Sequence, residues 1–301
     1  MTRGAWVSVV LFVSIAFVLF LLSRVFFGDG VREGFGIGFS DRDVVGLVQI
    51  KGGIFDARGA ISNLNKLRRN PRVKSLVIRI DSPGGAVGPT QEIYEEVQRF
   101  RRTGRKVVAS LGSVAASGGY YIAAAADKIY SNPGTITGSI GVVMIVPNAE
   151  KLVDALGLKF SIIKSAPHKD LGSPLRKMSQ ADRKILQRLI DDTYGQFVRA
   201  VSEGRKIPMA KALQIADGSI YSGERAKELG LVDKLGSQWD ATLEAARLGN
   251  IKGEPKVLEI KTGGGIFGFF RQSLQEVSSW VGGGAAHYWG GYPAMLQYMW
   301  K

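Results

Sequence analysis

At 301 residues, 45% of them hydrophobic, the chain has room for a real core in one large domain or two small ones. It has no cysteine, which excludes thiol catalysis, disulfides and thiolate metal sites. A formal charge of +14 suits nucleic acid or an anionic membrane face. The sequence has no zinc-finger, RNP or helix-turn-helix pattern, and its basic clusters at 66–70 and 99–106 read as solvated helix ends, so no nucleic-acid partner is expected.

Residues 4–23 carry no charge over 20 positions, enough to cross a bilayer core as a helix, with Arg3 and Arg24 at its ends. The run is long for a cleavable signal peptide, and "SRVFFGDG" offers no small-x-small exit, so residues 1–27 read as an uncleaved single-pass anchor. Arg24, Arg32 and Arg42 compete with Arg3 and the terminal amine over orientation. The few residues before the span are the easier end to leave inside, which puts the rest on the extracytoplasmic side. Residues 28–40 are glycine-rich and read as a flexible linker.

From 41 to 262 strand and helix patterns alternate. Short β-branched runs at 44–50, 75–80, 106–111, 139–146 and 159–165 predict strands. A helix is predicted over 90–104, with Ile93, Val97 and Phe100 on one face and Gly104 as its stop. A long helix is predicted over 179–204. Ser179 and Asp182 form its capping box, and Ile185, Leu186, Leu189, Ile190, Tyr194, Phe197 and Val201 its buried stripe. Shorter helices follow at 208–215, 222–229 and 238–248. The alternation implies an α/β domain with largely parallel pairing. Residues 263–301 change character: an amphipathic helix is predicted with Phe267, Phe270 and Leu274 on one face, then come two tryptophans and three tyrosines among glycines. Such a tail suits a membrane interface or a partner groove.

Three loops follow strands where an open α/β sheet places its site. In "RIDSPGG" (79–85) the pair Gly84-Gly85 lets backbone N–H groups converge on a negative oxygen. In "GSVAASGGYYIAAAADK" (112–128) Ser117 precedes two glycines and a small-residue helix, so its hydroxyl stands beside the Gly118 N–H. Ser110 reads as a packed strand residue and Ser113 as a helix cap. In "SAPHKDLGSP" (165–174) His168 and Lys169 are both candidate bases. Asp170 lies too close in sequence to orient the imidazole, whereas a serine–lysine pair needs no carboxylate. By residue chemistry alone both bases, and neither, stay open.

"DSPGG", "ASGGYYIA", "TGSIGV", "HKDLGSP" and "ADGSIYSGERAKELGLVD" resemble, in order and spacing, the signal peptide peptidase A family of membrane-bound serine proteases. The likeness covers residues 44–235 and is to the short, single-copy form. It implies a crotonase/ClpP-like domain with Ser117 as nucleophile and Lys169 as general base. It places Gly84 and Gly118 in the oxyanion hole and Ser139 as the hydroxyl that orients the lysine. It also implies apolar peptide substrates such as released signal peptides, no metal or nucleotide cofactor, and a homo-oligomeric ring whose active sites are shared between subunits. A general membrane-associated protease, a non-catalytic membrane scaffold and an acyl-CoA enzyme of the same fold are the rival readings. The tail would then either lie on the membrane or fill a neighbouring cleft as a product-like peptide.

Overall fold

The computed structural model describes residues 42–260 and the backbone of 297–299. The anchor, the linker and the helix expected within 263–284 lie outside these residues. Among the described residues no helix is long and apolar enough to cross a membrane.

The order of elements begins β1 (Val44–Lys51), α1 (Arg58–Arg69), β2 (Val73–Ser82), β3 (Gly84–Ala86), α2 (Val87–Arg101) and β4 (Lys106–Ala116). It continues with α3 (Gly118–Ala123), β5 (Lys128–Ser131), β6 (Ile136–Gly138), α4 (Glu150–Ala155) and α5 (Gln180–Arg205). Then come α6 (Met209–Ile215), β7 (Ile220–Ser222), α7 (Gly223–Glu228), β8 (Lys234–Leu235), α8 (Gln238–Leu248), β9 (Lys256–Glu259) and β10 (Gln297–Met299).

Eight strands form one sheet in the order β7-β6-β4-β2-β1-β9, with β5 paired to β4 and β8 to β5. All its pairs are parallel except β6 with β7. The long β4 serves two neighbours: Val108–Ser110 pair with β5, and Val114–Ala116 pair with β6.

The central strands read as unbroken apolar runs because both faces are covered. Leu76, Ile78 and Ile80 of β2 join a core with Leu64, Leu67, Val97 and Phe100 from α1 and α2. Val77 between them faces the other way, with Val45, Leu47, Val108, Ala241 and Ala245 under α8. Alternation thus survives as a split between two apolar cores rather than between core and water.

The expected strands at 44–50, 75–80 and 106–111 correspond to β1, β2 and β4, and the expected α/β class holds. No strand forms over 139–146 or 159–165. Val143, Ile145, Phe160, Ile162 and Ile163 are exposed there. An apolar β-branched run becomes a strand only where a neighbour completes its ladder, and among the described residues neither run is paired along its length, Val143 alone making an isolated bridge. The capping box of Ser179 and Asp182 is present at the start of α5. Its stripe is buried only in the second half, through Phe197, Val198 and Val201. Leu189 is exposed, and Ile185, Leu186 and Ile190 are half-buried. The segment 141–178 and the first half of α5 therefore make an arm with an apolar surface.

Candidate active site

β2, β4 and β6 end side by side, and the candidate residues gather where open parallel sheets place their sites. β4 runs five residues past the predicted strand, to Ala116, which pairs with Gly138 of β6. Ser117 then turns with φ 52° and ψ −118°. Its N–H donates to the Gly138 carbonyl at 2.8 Å, and its own carbonyl accepts from Tyr121 N–H at 2.8 Å as α3 begins. Ser139 is likewise left-handed, at φ 50°, with its N–H donating to the Ser219 carbonyl at 2.7 Å. Such conformations cost a residue with a side chain about 1–3 kcal/mol and persist only where the surroundings impose them.

Ser117 is the N-cap of α3, yet its hydroxyl makes no capping bond, and the residue is 1% exposed. Gly118 is the first helical residue, so its N–H belongs to the turn that has no intrahelical acceptor. Ser113 lies exposed within β4 and caps nothing, because the strand continues past it, whereas Ser110 is buried and accepts from Arg79 at 2.9 Å. The expected small-residue helix is shorter than its composition implies: α3 ends at Ala123 and the alanines beyond it form a turn, though the whole run packs closely. Ala123–Ala126 are buried, and Gly204 of α5 rests on the Ala124 carbonyl where no Cβ would fit. Tyr120 donates its hydroxyl to the Leu231 carbonyl at 2.8 Å, and burial pushes the phenol pKa up.

Gly84 has φ 101°, a conformation side chains disfavour. Its N–H donates to Ser82 Oγ at 3.1 Å, and Ser82 donates to the Gly52 carbonyl at 2.6 Å. A Cβ on Gly119 would stand 2.8 Å from the Ser82 carbonyl oxygen, so the Ser117 turn and the Gly84 corner are in direct backbone contact. Ser82 fixes that corner, a role its sequence context signals only as a strand break before proline.

β3 lies between two neighbours. Ile54 N–H donates to the Gly84 carbonyl at 2.9 Å, and Ala86 N–H donates to the Ile54 carbonyl at 2.8 Å. Strand alternation then turns the N–H and C=O of Gly85 to the opposite side. There the tail pairs antiparallel as β10, Gln297 against Ala86, Tyr298 against Gly85 and Met299 against Gly84.

Gly84, Ser117, Gly118 and Ser139 thus share one corner of the sheet. Lys169 does not join them: it is exposed, on a run of turns in the arm, and among the described residues no hydrogen bond links Ser117 to Lys169 or His168. His168 Nδ1 lies 3.4 Å from Asp182 Oδ1. That carboxylate also accepts from Arg176 at 2.6 Å and from the Ser179 N–H at 3.2 Å, which holds its pKa well below the usual carboxylate range. The network of Arg176, Asp170 and Asp182 is a feature that sequence spacing did not reveal.

Residues 99–252 match the model of peptidase family S49, and residues 40–135 match that of Clp protease. A putative protease of Synechocystis sp. is 42% identical over 224 residues, 74% of this chain and 80% of the relative. A putative protease of Methanocaldococcus jannaschii is 37% identical over 215 residues, 71% of this chain and 68% of the relative. A putative signal peptide peptidase SppA of Enterococcus faecium is 32% identical over 236 residues, 78% and 66% respectively. This chain belongs to peptidase family S49 and is a serine-type peptidase with a ClpP-like domain.

Proposed function

We propose that this peptidase is a membrane-anchored endopeptidase whose serine–lysine dyad is completed between copies. Ser117 Oγ attacks the peptide carbonyl and forms the C–O bond, while Lys169 Nζ of a neighbouring copy takes the hydroxyl proton. The Gly118 amide and the Gly84 amide, the latter turning from Ser82 Oγ to the substrate, hold the tetrahedral oxyanion, each such donor being worth roughly 3 kcal/mol. Lys169 then returns its proton to the leaving amine, and water hydrolyses the acyl-enzyme. The Ser139 hydroxyl orients the lysine.

The observation that carries this reading is the contrast between the two reacting residues. Ser117 sits strained and buried on the core sheet, and Lys169 sits exposed on an arm whose apolar side chains Phe160, Ile162 and Ile163 are exposed too. Contact between copies would cover Phe160, Ile162 and Ile163 and desolvate the lysine so that it acts as a base. The substrates proposed are extended apolar peptides, released signal peptides among them, which fits the printed name of the Enterococcus faecium relative. The uncharged run at 4–23 supplies the anchor, with the catalytic domain on the extracytoplasmic side of the cytoplasmic membrane.

Mixing Ser117→Ala protein with Lys169→Ala protein tests the shared site. Each alone is inactive on an apolar fluorogenic peptide, and the mixture regains part of the wild-type rate. A mixture as inactive as its parts overturns the sharing, and an active Ser117→Ala protein overturns the nucleophile.

A further inference from the structure

Lys169 lies on a stretch with little structure of its own. Over 166–173 the backbone makes three separate turn bonds: Lys169 N–H to the Ala166 carbonyl at 3.2 Å, Leu171 N–H to His168 at 3.2 Å, and Ser173 N–H to Asp170 at 3.0 Å. The preceding residues 158–165 are exposed and belong to no helix or strand. Such a segment does not place a side chain to within the fraction of an ångström that proton transfer needs.

The side-chain network does what the backbone does not. Arg176 grips both carboxylate oxygens of Asp170, Nε to Oδ2 at 2.7 Å and Nη2 to Oδ1 at 3.0 Å. Its remaining nitrogen, Nη1, donates to Asp182 Oδ2 at 2.6 Å. Asp182 is buried and closes the capping box of α5, whose far half is packed into the core. Lys164 holds the same Asp170 at 2.7 Å and the Pro167 carbonyl at 2.9 Å. A continuous chain of contacts therefore runs from the core through α5, Asp182, Arg176 and Asp170 to the residue next to it, Lys169.

We infer that Arg176 is the positioning residue for the catalytic lysine, tying the turn that bears Lys169 to the N-terminus of α5. The inference rests on Lys169 being the base. It requires guanidinium geometry: the planar fork reaches two carboxylates at once, and an ammonium on a lysine stem, though equally charged, bridges them poorly.

The test compares Arg176→Lys, Arg176→Ala and Lys169→Ala in the full chain, with kcat and KM measured on one apolar peptide and thermal unfolding measured beside them. Both Arg176 variants are expected to lose at least tenfold in kcat with KM within twofold of wild type. Millimolar guanidinium should restore part of the kcat of Arg176→Ala and none of Lys169→Ala. An unchanged kcat in Arg176→Lys overturns the inference. So does a loss of kcat that tracks a lowered melting temperature and is not rescued, since that marks a merely structural residue. Wild-type activity in Lys169→Ala would instead overturn the assignment of the base, an outcome read from a different protein.

Discussion

The N–H of Ser117 donates to the carbonyl of Gly138 at 2.8 Å, and this bond ties the strained turn of the proposed nucleophile to the strand that leads into Ser139. Two left-handed serines are thereby held across one strand pair, Ser117 at φ 52° and Ser139 at φ 50°. Glycine would adopt either conformation without steric strain, so the serines are kept there at the expense of stability.

Ser139→Gly separates stability from chemistry. Relief of left-handed strain, about 1 kcal/mol, offsets the roughly 0.5–1 kcal/mol of extra chain entropy that glycine loses on folding. The melting temperature is expected to hold or rise while kcat falls at least tenfold, because the hydroxyl proposed to orient the lysine is gone. A variant that keeps full kcat would show that Ser139 is there for its backbone alone.

Gly119→Ala probes the contact between the Ser117 turn and the Gly84 corner, the two halves of the proposed oxyanion site. The added methyl would stand 2.8 Å from the Ser82 carbonyl oxygen and 3.4 Å from the Ile80 Cγ2 methyl, and the nearer contact is backbone with no flexible end to give way. α3 must shift off the Gly84 corner, with an overpacking cost of about 1–3 kcal/mol. A shift near 1 Å is enough to lower kcat on the order of 100-fold. Steady-state kinetics and thermal unfolding on one preparation check both figures, and normal kinetics would mean that the corner is not part of the site.

Much of this corner was legible in the sequence because its constraints are local. A strand, a serine and two glycines specify a tight turn into a short, closely packed helix, and that turn could be read from the residues, whereas giving Ser117 and Gly118 the chemistry leans on the family resemblance. The capping box at Ser179 was legible for the same reason. The arm was not. Residues 139–146 and 159–165 have the composition of strands, but whether such a run finds a ladder partner is a property of the whole fold; among the described residues neither forms a strand, and 159–165 are exposed. The grip of Arg176 on Asp170 and Asp182 was also invisible, since it depends on a loop returning to a helix end rather than on periodic spacing. Lys169 itself could not be told from His168 without the family resemblance.

The edge of β3 predicts how the tail acts on substrate binding. Residues 297–299 hold the side of Gly85 that an extended peptide would use, through main-chain bonds that any sequence can make. Tyr298→Pro removes one donor of that pairing and Tyr298→Ala removes none. Proline is expected to lower KM for a short peptide several-fold and to speed amide exchange at Gly85, with alanine close to wild type. Identical KM and exchange in all three proteins would mean that the edge is open in solution.

The arm should loosen in acid. Hydrogen bonds from Arg176, joined by Lys164 at Asp170 and by Ser179 at Asp182, hold both carboxyls well below their ordinary value of 3.8. Groups depressed in the folded state stabilise it fully above the unfolded pKa, and that stabilisation is lost as pH falls from about 4 toward the folded value. Hydrogen exchange over 160–178 is therefore expected to match at pH 7 and pH 5, after correction for intrinsic rates, and to rise relative to the β-sheet at pH 3. Arm protection unchanged at pH 3 would show that these ion pairs do not hold it.

The exposed apolar face of the arm makes the strongest demand on assembly. Ile163 is 100% exposed, and Phe160, Leu156 and Leu158 on the same segment are at least half exposed. A surface of this kind is commonly an interaction site. Replacing Phe160 and Ile163 together by glutamate removes little packing among the described residues, so the melting temperature of an isolated copy should move little, as surface changes usually stay within about 0.5 kcal/mol. Two charges placed in an interface between copies cost far more, since each must lose water without a partner. Sedimentation is expected to show the double variant as a monomer where the wild-type chain, solubilised in the same detergent, is oligomeric. Its peptidase activity should fall at least tenfold at all protein concentrations. Full activity in a monomeric double variant would place Ser117 and its base within a single copy.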